Sequence, residues 1–449
     1  MSRSSPAQRH LRKAMAALLQ TNRPPPVRSD AELAAETKRN YPWNFGVNLL
    51  EATAFLFGLS FLSSSTILPL FVSKLTDKPF PIGLVAVIAQ ASWFLPQLFT
   101  ANFVERLPRK KPLVINLGFF LERLPVWLLV LAAAVAIQSP SLALLLFFVG
   151  YAWFGLGGGM IATAWQDLIA RCFPVERRGR FLGIAAFAGT GMGAAGAALS
   201  IRILESFRFA TSFVFIFAIA AVAMIVSWFF LALTREPIPP VDAPPQSSRQ
   251  FLSKLPDILR CDHNFRQFLV ARSLMALGNL GTGFVTVAAI SRWQIPDSTV
   301  GLYTALYLAG QTLGNLTFGF LSDRFGHKLS LELGALASTV AFTLAWLAHS
   351  PTWVYIVFFL LGVNSGAVLV SGILVALEFS EPQRRPTYAG MANTTTGLAS
   401  IVAPLLGAWL AGIDYGWLFA ASSAVNLAAL VAMHWWVREP RWAAATRIS

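Results

Sequence analysis

From Trp43 to Trp436 the chain is a succession of long apolar runs separated by short polar breaks, and that spacing admits few folds. A run of about 20 apolar residues crosses the hydrocarbon core as a helix, because in lipid the backbone must satisfy its own hydrogen bonds. The runs predict spans at 43–70, 81–101, 113–136, 142–168, 181–203, 210–233, 267–291, 299–320, 330–348, 353–377, 387–412 and 417–436. The expected fold class is an all-α membrane protein of twelve transmembrane helices. Only 12% of the 449 residues are charged, about half the share usual in a soluble domain.

The formal net charge is +14, and its distribution decides what it means. Most Lys and Arg fall in the two tails and in the connections that follow even-numbered spans. By the positive-inside rule both termini are then cytosolic, in a multi-pass protein of the plasma (inner) membrane. The charge reads as a topology signal toward the lipid bilayer, and no nucleic-acid partner is expected. Cys172 and Cys261 both lie in segments placed in the cytosol, so no disulfide is expected. The five histidines show no pair at ligand spacing, which predicts no metal site. No GxxxxGK[ST] phosphate cradle and no spaced nucleophile and base occur, so neither a cofactor nor an enzyme is expected.

The widest break opens with "REPIPPVDAPPQSSRQ", which is too rich in proline to pack. It divides the chain into a basic tail at 1–42, expected to be unstructured, a six-helix half at 43–233, a linker at 234–266, a second six-helix half at 267–437, and a tail at 438–449. Within the first tail, "QRHLRKAMAALLQ" is amphipathic and is expected to touch the lipid surface. Within the linker, "RQFLSKLPDILR" predicts a short surface helix.

The two halves repeat. Sliding "ANFVERLPRKK", which starts at Ala101, forward by 218 residues lays Glu105 on Asp323 and Arg106 on Arg324, within "GFLSDRFGHK" at 319–328. A second pair agrees, "RRGRFLG" at 177–183 and "RRPTYAG" at 384–390, which makes an internal duplication the natural reading. The residues Gly319, Asp323, Arg324, Gly326 and Lys328 resemble the signature loop of the major facilitator superfamily. The first-half copy is worn, keeping Glu105, Arg106 and Arg109 but having Ala101 and Pro108 where glycine is usual. The segments "FRQFLVARS" and "RPTYAGMAN" are similar to a broad bacterial group in that family. The resemblance implies two pseudo-symmetric halves rocking about a central path lined by spans 1, 4, 7 and 10. It also implies a monomer and a loop that latches the outward-open state through Asp323. From the residues alone, Gly319 and Gly326 allow close approach and positive φ, while Arg324 and Lys328 anchor the loop on the positive side.

Charge inside a span costs at least about 2.5 kcal/mol, so each case asks for a partner or a function. Glu51, Arg123, Asp167 and Arg272 are the transport and gating candidates, with Glu122 beside Arg123. Glu51 and Arg272 are approximate symmetry mates at similar depth. They are expected to meet across the interface when the cytosolic side is closed, and protonation of Glu51 would then bias the alternation. The competing reading satisfies each within its own half, with Arg123 as the partner for Glu51 or Asp167. Six amides, Gln90, Gln97, Gln311, Asn315, Asn364 and Asn393, are candidates to bind solute or to join helices. Runs of small residues, "GLGGG" in span 4 and "GTGMGAAGAA" in span 5, let backbones approach.

The expected function is a secondary transporter that moves a small-molecule substrate by alternating access, with proton-coupled export of amphipathic compounds as its particular form. A non-transporting receptor or assembly factor of the same fold, or a solute importer, remains open. The Gly-Pro motif of drug/proton antiporters is absent from span 5, where Ala194 stands in place of proline.

Overall fold

A computed structural model describes residues 15–21, 29–105, 107–238, 259–372, 375, 378–379 and 385–440, and its described residues contain helices and no strand. The helices are α1 (Asp30–Ser60), α2 (Ile67–Ser73), α3 (Pro79–Glu105), α4 (Leu113–Ala134), α5 (Pro140–Cys172), α6 (Val175–Ser206) and α7 (Thr211–Ala232) in the first half. The second half has α8 (His263–Gly278), α9 (Phe284–Trp293), α10 (Thr299–Phe325), α11 (His327–Leu347), α12 (Thr352–Ser371), α13 (Arg385–Ala411) and α14 (Tyr415–Trp436). Span 1 is α1 with α2, and span 7 is α8 with α9. Among the described residues, ten segments are long and apolar enough to cross a membrane. Two further spans expected from the sequence, α1 with α2 and α10, fall outside that set. They carry Asn44, Asn48 and Glu51, and Gln311 and Asn315, and these polar groups lower their hydropathy.

The packing obeys the duplication. Span 1 packs on spans 5 and 6 as span 7 packs on 11 and 12; span 4 packs on 2 and 3 as span 10 packs on 8 and 9; and the halves meet where 2 touches 11 and 8 touches 5. Small residues set the closest approaches. A Cβ on Gly310 would lie 2.0 Å from the Phe359 carbonyl, and one on Gly362 would lie 2.0 Å from that of Tyr307, so α10 and α12 touch backbone to backbone. In the first half, Gly155 and Gly159 of the "GLGGG" region play that part against Ser92 and Trp93 of α3.

The apolar core has three parts. One cluster runs through both halves, from Phe61 and Phe71 to Phe284 and Phe342. The other two each stay within one half, around Leu168 and Phe181 and around Phe268 and Met433. The halves therefore share a core at one end and have separate cores at the end that carries the signature loops. Three polar contacts join the halves at the shared end: Lys74 with Asp297 at 2.8 Å, the Thr66 and Thr304 hydroxyls at 2.6 Å, and the Thr286 hydroxyl donating to the Ser65 carbonyl at 3.2 Å.

Three sequence expectations change. The tail at 1–42 gives way to helix at Asp30, because Ser29 and Glu32 form a capping box, with each side chain meeting the other's backbone N–H. Residues 15–21 of the amphipathic piece dock on protein: Leu19 is buried in the first-half cluster, and the Leu18 carbonyl accepts from the Asn116 amide at 2.6 Å. Spans 1 and 7, expected to be continuous, are both broken, at 61–66 and 279–283. The expected surface helix of the linker lies outside the described residues apart from 259–260, which are helical.

Candidate functional site

The two helix breaks come from residues that compete with a helix for its hydrogen bonds. In span 1 the break carries Ser63, Ser64, Ser65 and Thr66, residue types whose hydroxyls compete with the helix ladder for hydrogen bonds; the Thr66 hydroxyl reaches Ser63 Oγ at 2.6 Å. In span 7 the sequence is "GNLGTG", where glycine lowers the cost of leaving the helix. The breaks sit at equivalent positions and together help enclose a cavity of about 310 Å³ between the halves. Ser64, Ser65, Asn279, Leu280, Thr282 and Gly283 supply that part of the wall, and Gln90, Phe94, Arg272, Asn364, Thr396 and Ser400 supply much of the rest. Broken spans at the interface of two repeats bring free backbone groups to a cavity, the arrangement that membrane solute sites use.

Of the six candidate amides, Gln90 and Asn364 line this cavity. The others do different work or lie elsewhere. Gln97 donates to the Trp93 carbonyl of its own helix at 2.7 Å, and Gln311 donates to Ser365 Oγ at 3.0 Å, joining α10 to α12. Asn315 is packed where α10 meets Gly366, and its side-chain oxygen is buried without a hydrogen bond. Asn393 is half-buried on α13 and does not line the cavity.

The charged candidates separate into the two halves. Glu51 is buried in α1 and accepts from Ser227 Oγ of α7 at 3.2 Å. Arg123 is buried nearby, pairs with Glu122, and lies over the Phe55 ring with 5.6 Å between its guanidinium carbon and the ring centroid. This pair sits in a stretch of α4 wound as π-helix at 113–117 and 119–123. Arg272 is 7% exposed and lines the cavity from α8. Among the described residues it has no ion-pair or hydrogen-bond partner, and it is not paired with Glu51. Asp167 lies at the signature-loop end of α5, paired with Arg171 at 2.9 Å and Lys110 at 3.4 Å.

At the signature loops, Gly326 has φ +93°, so the positive φ expected there is present. The space beside Gly319 is open, and close packing does not require glycine at that position. Lys328 reaches Glu332 at 3.3 Å and donates to the His434 carbonyl at 3.0 Å. Arg324 is exposed beside Phe325, and Arg109 meets the Gln20 carbonyl at 3.5 Å. The latch reading of Asp323 and its first-half mate lies outside the described residues: Arg106 is not described, and neither are the side chains of Glu105 and Asp323.

A second duplicated element holds these loops from the far end of each half. The tripeptide Arg-Glu-Pro follows the last span of each half, at 235–237 and 438–440. Glu236 accepts the backbone N–H of Lys110 at 2.8 Å and of Lys111 at 3.0 Å, and Glu439 accepts that of Lys328 at 3.1 Å. Each carboxylate thus lies at the start of the helix that leaves the signature loop, where free N–H groups and the helix dipole favour negative charge. Burial pushes the Glu236 carboxyl above the usual carboxylate range, against the two N–H donors and Arg171. The repeat was visible in the sequence as a recurring "REP", but nothing there shows what it touches. The two segments similar to a bacterial group also meet: Tyr388 donates to Asp262 at 3.2 Å, and its ring lies 4.4 Å from that of Phe265.

The model of the Major Facilitator Superfamily matches residues 268–447. Multidrug resistance protein 3 of Bacillus subtilis (strain 168) is 28% identical over 117 residues, 26% of this chain but only 23% of its own length. The uncharacterized MFS-type transporter YfkF of the same organism is 23% identical over 329 residues, covering 70% of this chain and 77% of its own. Among solved structures, a variant of the nucleoside transporter NupG superposes with a TM-score of 0.65 at 14% identity, over 86% of this chain and 98% of that one. A bacterial homologue of the iron transporter ferroportin in an inward-facing state gives 0.60 at 15% identity, over 91% and 99%.

Proposed function

The chain belongs to the Major Facilitator Superfamily, and from that premise we infer a secondary transporter that carries a small solute across the membrane by alternating access. One observation carries the reading. The halves share an apolar core and three polar contacts at one end, keep separate cores at the other, and enclose a cavity lined by two broken spans. Such a pair of rigid bodies exposes the cavity to alternate sides by rocking. With the signature loops cytosolic, as the charge distribution predicts, the state described is closed outward and parted inward.

Export of amphipathic compounds coupled to protons is the form this reading favours. The cavity mixes aromatic and aliphatic walls with a few amides and hydroxyls, a lining suited to compounds of that kind. In the first half, two buried carboxylates, Glu51 and Glu122, face the single cation Arg123. One proton on Glu51 balances that set, and its removal frees a carboxylate to seek Arg272 as the inward side closes.

The test uses spin-label pairs across the two ends of the reconstituted protein, read with and without a pH gradient. Distances at the two ends should change in opposite senses. A single unchanging set of distances, together with no solute movement in proteoliposomes, would retire the transporter and favour a receptor or assembly factor.

A further inference from the structure

The only charged side chain lining the cavity, among the described residues, is Arg272. It is more than nine-tenths buried and, among the described residues, its guanidinium has no carboxylate within pairing distance and no hydrogen-bond partner. The neighbouring helix leaves room for it: at Gly372 a Cβ would stand 2.6 Å from Arg272 Nη2, so a larger residue would push the guanidinium away. Val368 and Asn364 lie one and two turns earlier on that same face of α12 and also line the cavity. Asn364 is buried and Gln90 half-buried, and neither has a hydrogen-bond partner among the described residues. Thr396 and Ser400 add hydroxyls one turn apart on α13, while Phe94 and Met275 are apolar.

A buried cation without a partner is costly to a membrane protein, and such a group persists when a ligand supplies the missing charge. We propose that this cavity binds an organic monoanion, with its carboxylate on the Arg272 guanidinium, its polar groups toward Asn364 and Gln90, and its apolar body toward Phe94 and Met275. The planar guanidinium matches a carboxylate through two parallel hydrogen bonds. One cation compensates one negative charge, so a dianion would carry an unbalanced charge into the site and a cation would be repelled. This substrate class rests on the transporter reading and deepens it.

The experiment compares matched acids and amides. Thermal unfolding of the purified full-length protein is followed with phenylacetate against phenylacetamide, 1-naphthoate against 1-naphthamide, and hexanoate against hexanamide, with inorganic phosphate as a further arm. The acids should raise the melting temperature as their concentration rises, and the amides and phosphate should not. Arg272→Gln should abolish the shift, and Arg272→Lys should weaken apparent affinity about tenfold or more, since the bidentate geometry is lost. Without ligand, Arg272→Gln should melt no lower than wild type, which separates loss of binding from loss of fold. Equal shifts with acid and amide, no shift with any acid, or a shift retained in Arg272→Gln would overturn the proposal. The underlying reading fails separately: acids that bind but are not moved by proteoliposomes leave the anion site and remove the transporter. Movement of neutral solutes by a protein that binds no acid does the reverse.

Discussion

Asn44 holds Arg235 by both of its backbone groups, accepting the N–H at 2.9 Å and donating to the carbonyl at 2.9 Å. Asn264 holds Arg438 in the same way in the second half, at 2.8 and 3.0 Å. Each asparagine thereby fixes the residue beside the glutamate that caps the signature-loop helix of its own half. Asn44 is fully buried, whereas the Asn264 bonds are exposed to solvent. Asn44→Ala should cost about 1–3 kcal/mol, the range for buried polar groups left unpaired, and Asn264→Ala nearer the lower figure. Denaturant or thermal unfolding of the two variants should show that order; a reversed order would break the link between the clamp and burial.

Glu236 gives a pH dependence whose sign follows from its surroundings. Burial raises its folded-state pKa above the ordinary carboxylate value. A raised value means that its contribution to stability is fully present below the unfolded pKa and is lost as pH rises through the folded one. The melting temperature of wild type relative to Glu236→Gln should therefore climb as pH falls from 8 toward 5. A constant difference across that interval would mean that the carboxyl titrates as it does in water.

The shared end can be locked. Thr66 and Thr304 face one another across the halves with 2.6 Å between hydroxyl oxygens. A Thr66→Cys, Thr304→Cys pair should form a disulfide under mild oxidation, hold the state described, and stop solute movement until it is reduced. Full transport by the oxidised, crosslinked protein would show that this contact does not open during the cycle.

Glu51→Gln keeps an oxygen to accept from Ser227 but carries no charge. Exchange of solute down its own gradient should survive, while accumulation driven by a pH gradient should fall at least about tenfold, if one proton on Glu51 couples the cycle. Gradient-driven transport at the wild-type level would move the coupling site elsewhere, with Glu122 the next carboxylate to replace.

Apolar run length, charge placement and the loop repeat were enough to anticipate the two halves, because bilayer thickness and backbone satisfaction leave so few alternatives. The site was harder to read. Gln90, Asn364 and Arg272 stood out as polar residues in apolar runs, yet the same signal marked Gln97 and Asn315, which stay within helices and helix contacts. Polarity tells that a residue in a span has a purpose, and only the rotation of each helix about its axis separates cavity from contact. The breaks were written in "SSST" and "GNLGTG", but embedded in long apolar segments they read as tolerated interruptions. Glu236 and Glu439 escaped notice because both cap backbone N–H groups, which leave no trace in residue identity.

The paired breaks in spans 1 and 7 carry a consequence for how such a protein changes over time. The breaks bring Ser64, Ser65, Thr282 and Gly283 to the wall, and a peptide group that meets solute there keeps its hydrogen-bonding character whatever side chain its residue carries. Divergence in what the cavity accepts must then fall on the regular helices around it, at positions such as Gln90, Asn364 and Thr396, while the broken segments keep a common grip on whatever enters.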